Sequence, residues 1–424
     1  YAIPNIECRT TSVVTNTTPI VAYRGAGRPE ATAAIERAMD MFALEIGKDA
    51  AEVRRMNLIP KFLEPHTTVV GQTYDVGDYE TALDKALAAA DYKALRAEQA
   101  KRRASGDAKQ LGIGVSVYVE ITGGVGNGES AKVEVLEDGR AVVYTGTSPH
   151  GQGHDTAWSM LVQEQTGIPM DKIELVWGDT DLVPIGTGTM GSRSLQQGGN
   201  AVFQVAGTLA EKAKSVAARL LEVSEADVVL DKDRGAFHVV GTPAVTKTWA
   251  DLAVAEKGTG GLLHDEVINV AGATFPFGAH IAVVEVDTET GRVKHLRQVA
   301  CDDAGKVLNP LLLDGQIHGG IAQGVAQALL EEVLYDADGN PTTSNLADYG
   351  FISAAELPSV EVIHMETPTP VNAIGAKGIG ESGTIGSTPA IQSAVVDAVS
   401  HLGVKHIEMP CTAERVWRAI QAAQ

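Results

Sequence analysis

Cysteine is scarce. Cys8, Cys301 and Cys411 are the only ones in 424 residues, they lie far apart, and no C-x-x-C occurs. This argues against a disulfide framework or a structural zinc site, and an iron–sulfur cluster held by cysteine alone needs more thiolates than the chain owns. Sparse cysteine fits a reducing compartment, and the expected location is cytoplasmic. Basic residues are also short: 34 Lys and Arg face 54 Asp and Glu, for a net charge of −20. A nucleic-acid surface needs a basic stripe, so no nucleic-acid partner is expected. No apolar run approaches the ~20 residues of a membrane span. Nothing at the start pairs a basic segment with an apolar run as a secretory leader does. The first residue is Tyr1 rather than Met, so the chain is expected to belong to a longer product.

What remains is ordinary globular material, 44% hydrophobic and 21% charged, with length for two or three domains. Pro29 opens a helix, ATAAIERAMDMFALEIG, that Gly47 stops. Asp49 and Glu52 form a D-x-x-E start for a second. Residues 61–77 read as loop, and residues 78–103 as a charged, alanine-rich helix expected to be an exposed bridge. From Leu111 strands take over. LGIGVSVYVE alternates, and AKVEVLEDGRAVVYTG is a hairpin turning at Asp138-Gly139. The loop SPHGQGH then leads into a helix. The same order recurs as HIAVVEVD, a turn at ETG, VKHLRQVA, a loop ending in Asn309-Pro310, and a helix through residues 316–334. Long helices near 199–221 and 412–423 complete the reading. Many hairpins among helices predict an α+β fold, mixed rather than a doubly wound parallel sheet.

Four glycine-rich segments precede helix starts: VAYRGAGRPE, SPHGQGHDT, GTGTMGSRSLQQGG and GAKGIGESG, the last with Pro389 as the expected first residue of its helix. Backbone N–H groups at helix starts make ready anion sites. One such loop is most simply turn chemistry. Four together suit a large ligand with phosphates and many polar edges. Residues 375–383, GAKGIGESG, carry four glycines around a single acid, Glu381. Gly186, Gly188 and Gly191 fit G-x-G-x-x-G, but Pro184 breaks the strand-to-glycine junction that a dinucleotide fingerprint needs. Ser382 fails the nucleophile-elbow pattern, because Thr384 stands where glycine belongs. His150 and His154 are four apart with Gly-Gln-Gly nearby, a poor helical metal pair.

The motifs AYRGAGRPE, GQGHDT, GSRS, DGQIHGG and GAKGIGESG, in this order over residues 22–383, resemble the molybdenum-binding large subunit of the xanthine dehydrogenase/aldehyde oxidase family. The family's large subunit begins with a further region that has no counterpart here, so the chain resembles the second half of such a subunit. The resemblance implies two molybdopterin-binding subdomains built of hairpins, sheets and long helices, at 111–270 and 271–424. Residues 1–110 would then be a helical segment continuing a missing upstream domain.

The implied cofactor is molybdenum-molybdopterin, in its cytosine dinucleotide form. By residue-wise match, Gly151, Gln152, Gly153 and His154 would face it, Ser192, Arg193 and Ser194 would lie near its nucleotide end, and Gln316 would touch the pterin. Lys377, Gly378, Ile379 and Gly380 would run beside the metal, which takes no ligand from the protein. Glu381 becomes the general base of an oxidative hydroxylation that uses water, or else an exposed acid favoured by its helix start. Arg24 would orient the substrate, or simply tie down its own turn. Carbon monoxide dehydrogenases of the family hold copper on a cysteine after that arginine. Here the position is Gly25, so an aldehyde or an N-heterocycle is the expected substrate. The implied partners are the upstream half of the large subunit, a small subunit with 2Fe-2S centres and a medium subunit with FAD. Two alternatives stay open: a cofactor-binding scaffold without turnover, and a metal-dependent hydrolase using His150 and His154.

Overall fold

The computed structural model describes residues 1–124, 128–270 and 272–423. Its main helices are α1 (Arg28–Glu45), α2 (Ala50–Asn57), α3 (Tyr79–Ala89), α4 (Tyr92–Ser105), α5 (His154–Thr166), α6 (Asn200–Leu221), α7 (Trp249–Glu256), α8 (Pro310–Leu329), α9 (Ser382–Val399) and α10 (Ala413–Ala423). Two four-stranded sheets organise them. Their strands are β1 (Lys109–Val119), β2 (Glu129–Val135), β3 (Ala141–Thr145), β4 (Ile173–Val176), β5 (Leu262–Ile268), β6 (Phe277–Asp287), β7 (Val293–Asp303) and β8 (Val360–Met365). The mixed α+β expectation holds.

The hairpin–loop–helix unit read twice in the sequence is built twice, and each copy has one strand more than expected. β2 and β3 pair antiparallel, α5 follows, and β4 returns parallel to β3. β6 and β7 pair antiparallel, α8 follows, and β8 returns parallel to β7. Each sheet is completed by an antiparallel edge strand, β5 on β2 and β1 on β6. The first sheet packs on α5 and α6 through Val133, Val143, Trp158, Leu161, Val202 and Leu209. β1 lies upstream of the first unit in sequence yet joins the sheet of the second. Strand pairing thus joins residues 109–119 to residues 277–287, linking the expected 111–270 and 271–424 segments in one sheet.

The segment of β1 read as an alternating strand, and residues 110–118 are all buried, both faces included. Leu111, Ile113, Val115 and Val117 pack with Leu83 and Ala86 of α3. On the other face α9 lies directly on the backbone: a Cβ at Gly114 would stand 1.9 Å from the Ala390 carbonyl oxygen. Glycine permits that close approach. The expected exposed bridge over 78–103 is likewise two helices, α3 and α4, separated by a left-handed Asp91, with Ala82, Leu83 and Ala86 fully buried. Residues 61–77 hold one short ribbon, His66–Thr67 against Thr73–Tyr74. α8 starts earlier than expected, at Pro310, where the Asn309 side chain accepts from the Leu312 N–H at 3.2 Å. α9 starts at Ser382, so Pro389 lies inside the helix rather than at its start. The Ser387 and Thr388 hydroxyls donate to the Gly383 and Thr384 carbonyls in that stretch. α9 is buried on nearly every side, as an apolar, small-residue helix between layers must be.

Candidate active site

The glycine-rich segments converge. A cleft of about 690 Å³ lies at the seam between the two sheet units. Arg24, Gly151, Gln152, His154, Ser192, Ser194, Gln316, Lys377, Gly378, Ile379, Gly380 and Glu381 all line it. The start of α8 joins them through Asn309, Leu312 and Leu313.

Glu381 sits at the N-cap position of α9, half-buried, and both carboxylate oxygens are held. The Gly25 N–H donates to Oε1 at 3.0 Å, and the Ser192 hydroxyl donates to Oε2 at 2.6 Å. Ser192 is one of the few non-glycine residues with positive φ, at 52°, a strained geometry that marks functional sites more often than others. Gly25 has φ 105°, and a Cβ there would meet Pro29 Cγ at 2.5 Å, so the turn needs glycine on both counts.

Arg24 is a clamp. Its Nε donates to the Gly380 carbonyl, Nη1 to Gln323 Oε1 at 2.9 Å, and Nη2 to the Gln316 carbonyl at 3.0 Å and Gln316 Oε1 at 3.2 Å. Of a guanidinium's five N–H groups, one on Nη1 is left over. None of these bonds reaches the turn that follows Arg24; they tie it to the residue before Glu381 and to α8.

Two of the expected site residues lie off the cleft wall. Gly153 is the left-handed cap of α5 and rests on Leu312. Arg193 is turned into the interior, 1% exposed, where Nη2 lies 2.5 Å from Glu129 Oε2 and donates to Gln197 Oε1 at 2.6 Å. Its side chain braces the loop instead of facing the cleft. Lys377 likewise contributes backbone, since its ammonium is buried against Asp303 at 2.9 Å and over the Phe277 ring. His154 stacks on Trp158 with centroids 4.6 Å apart, and burial lowers its pKa, so it presents a neutral ring.

Sequence reasoning missed Glu120. It is fully buried beside Glu381, with Ser382 donating to its Oε2 at 2.6 Å and Ser192 Oγ 3.1 Å from its Oε1. In VYVEITGG it reads as an outward polar position at a strand end. Only the finding that β1 is buried on both faces could have flagged it.

The residues present fit a large, phosphate-bearing ligand. The starts of α5 and α8 and the turn before α9 bear on one cleft, and helix starts carry a partial positive charge. The cleft volume lies in the range of cofactor sites. On its wall the buried Trp158 Nε1 has no partner among the described residues, a donor left for something else. Against the hydrolase alternative, no three His, Cys, Asp or Glu among the described residues cluster to hold a metal ion.

Fold and cleft together define a cofactor-binding protein of two similar sheet units. Sequence comparison makes the class specific: the molybdopterin cofactor-binding domain family matches residues 85–358, and a second family of the same description matches residues 1–58. The chain belongs to the molybdopterin cofactor-binding family. It is 40% identical to the carbon monoxide dehydrogenase large chain of Hydrogenophaga pseudoflava, over 99% of this chain and 54% of that one. It is 34% identical to the nicotine 6-hydroxylase large subunit of Paenarthrobacter nicotinovorans, over 99% of this chain and 53% of that one. Among solved structures, a Cu,Mo-CO dehydrogenase superposes with TM-score 0.89 at 36% identity, covering 95% of this chain and 53% of that chain. Quinoline 2-oxidoreductase from Pseudomonas putida 86 gives TM-score 0.86 at 33% identity, with 95% and 53% covered. The chain spans about half the length of the curated relatives it matches.

Proposed function

We propose that this chain is the cofactor-holding part of a molybdenum hydroxylase large subunit, and that Glu381 is its general base. One observation carries the reading: Glu381 is fixed at both oxygens on the wall of the cleft where the glycine-rich loops meet. A scaffold has no need of an acid so placed.

The bound cofactor supplies the two-electron oxidant that protein side chains lack. Gly151, Gln152 and the N–H groups at the start of α5 would hold the phosphates, Ser194 would approach the nucleotide end, and Gln316 with the backbone of 378–380 would hold the pterin. The cytosine dinucleotide form is the one that the sequence resemblance implies. Glu381 takes the proton from the oxygen nucleophile derived from water, a contribution worth roughly 10²–10⁴ in rate when the base is within hydrogen-bond reach. The spare Nη1 donor of Arg24 can face a substrate carbonyl or ring nitrogen.

The substrate class is an aldehyde or an N-heterocycle. Gly25 has no thiol, and its φ and contact with Pro29 leave no room for one, so the copper-dependent oxidation of carbon monoxide is not expected. Electrons leave to partner subunits carrying 2Fe-2S centres and FAD, because three scattered cysteines cannot hold a cluster. The upstream half of the large subunit closes the cleft, and the complex is cytoplasmic.

The test uses the assembled complex. Molybdenum, with CMP released on hydrolysis, should be present, and Glu381→Gln should cut turnover by roughly 10²–10⁴ with cofactor content intact. Zinc or manganese in place of molybdenum, or an unchanged rate, overturns the proposal.

A further inference from the structure

Glu120 and Glu381 approach the same hydroxyl. Ser192 Oγ lies 2.6 Å from Glu381 Oε2 and 3.1 Å from Glu120 Oε1. A serine hydroxyl owns one hydrogen. The shorter contact takes it, which leaves Glu120 Oε1 and Ser192 Oγ facing each other with no hydrogen between them if both acids are ionised. Two oxygens at that distance in a buried site repel, and an unpaired buried charge is costly. A single proton on Glu120 resolves the geometry. Its O–H donates to Ser192 Oγ, Ser192 donates to Glu381, and Ser382 donates to the other Glu120 oxygen.

We propose that Glu120 is a positioning residue for Glu381: it carries a proton that it donates to Ser192 and, through Ser192, keeps the Glu381 carboxylate aimed into the cleft. The inference rests on the reading of Glu381 as base and deepens it. Like charges sharing a site cannot both ionise freely, and burial adds to the effect. Desolvation first, and the Glu381 charge second, push Glu120 up to about 8, opposed by the Ser382 and Ser192 hydroxyls and by Arg28. Arg24 and Tyr118 also feel its charge. Glu120 also lines a second cavity of about 670 Å³, with Tyr1, Tyr74 and Phe275, whose lining includes neither Ser192 nor Glu381.

The experiment reads the proton directly. Infrared difference spectra of the holoenzyme, taken against pH, should show a protonated carboxyl that persists through neutral pH and titrates near 8. Glu120→Gln should abolish that band. On the kinetic side, the wild-type kcat should fall above that pH as Glu120 ionises and contests the Ser192 hydrogen, and this alkaline limb should vanish in Glu120→Gln. Glu120→Ala, which has no donor, should lose ~10²-fold in kcat, the scale of a misplaced catalytic group, and the glutamine variant should recover most of it. Ser192→Ala should remove the alkaline limb without removing the band. Absence of the band, or a limb that persists in Glu120→Gln, overturns the inference. Neither result depends on whether Glu381→Gln loses turnover, which tests the functional reading alone.

Discussion

The backbone N–H of Gly25 donates to Glu381 Oε1 at 3.0 Å, across 356 positions of sequence. Its neighbour Arg24 bonds the carbonyl of Gly380. The turn before α1 and the turn before α9 are thus one unit, and the acid at its centre is aimed by both. Arg24→Lys keeps the charge but replaces a planar fork by a point donor, which cannot serve Gly380, Gln316 and Gln323 together. The expected result is a fall in kcat of ~10²-fold with KM little changed and cofactor content intact. A rise in KM at constant kcat would instead mean that Arg24 acts through substrate binding alone and not by holding the Glu381 turn.

Gly114 links the core to the same acid. A Cβ at this position would sit 1.9 Å from the Ala390 carbonyl, backbone that cannot turn aside. Gly114→Ala must therefore push α9 off β1. Overpacking of this kind costs about 1–3 kcal/mol and sometimes more. Because α9 begins one residue after Glu381, the displacement should lower kcat as well as the denaturation midpoint. A stable variant with normal turnover would show that α9 does not position the base.

These placements show which parts the sequence declares. Hairpins were legible because Asp138-Gly139 and the ETG turn demand special backbone, and the loops at 151–154 and 378–381 because glycine is uneconomical elsewhere. The helix at α9 was misjudged at its start, since Pro389 normally marks a beginning, whereas here neighbouring hydroxyls bond carbonyls within the helix. Glu120 was invisible for a different reason. A glutamate at the end of an alternating strand looks solvated, and only tertiary layers on both sides of β1 bury it. Arg193 was assigned to the cofactor by residue-wise resemblance, and nothing local announces that Glu129, in a strand 64 residues earlier, claims the guanidinium.

That ion pair makes a separate prediction. Arg193 and Glu129 are each 1% exposed, so removing one partner strands the other's charge in the interior. Arg193→Met should cost about 3–5 kcal/mol in denaturant unfolding, and adding Glu129→Gln should restore much of it. Loss of cofactor affinity at unchanged stability would instead mean that the guanidinium swings into the cleft.

Glu120 also ties stability to pH, with a sign opposite to the usual carboxylate. Its pKa moves from 4.5 to about 8 on folding. Between those values the folded protein binds the proton that the unfolded chain releases. The stabilising contribution is therefore complete below the lower value and is lost as pH rises towards the upper one. The steepest slope for one such proton is about 1.4 kcal/mol per pH unit. Glu120→Gln stays neutral throughout, so its stability relative to wild type should improve steadily over that window in denaturant titrations. A difference independent of pH would mean that Glu120 is ionised in the native protein, and that Ser192 and Ser382 alone hold a buried charge beside Glu381.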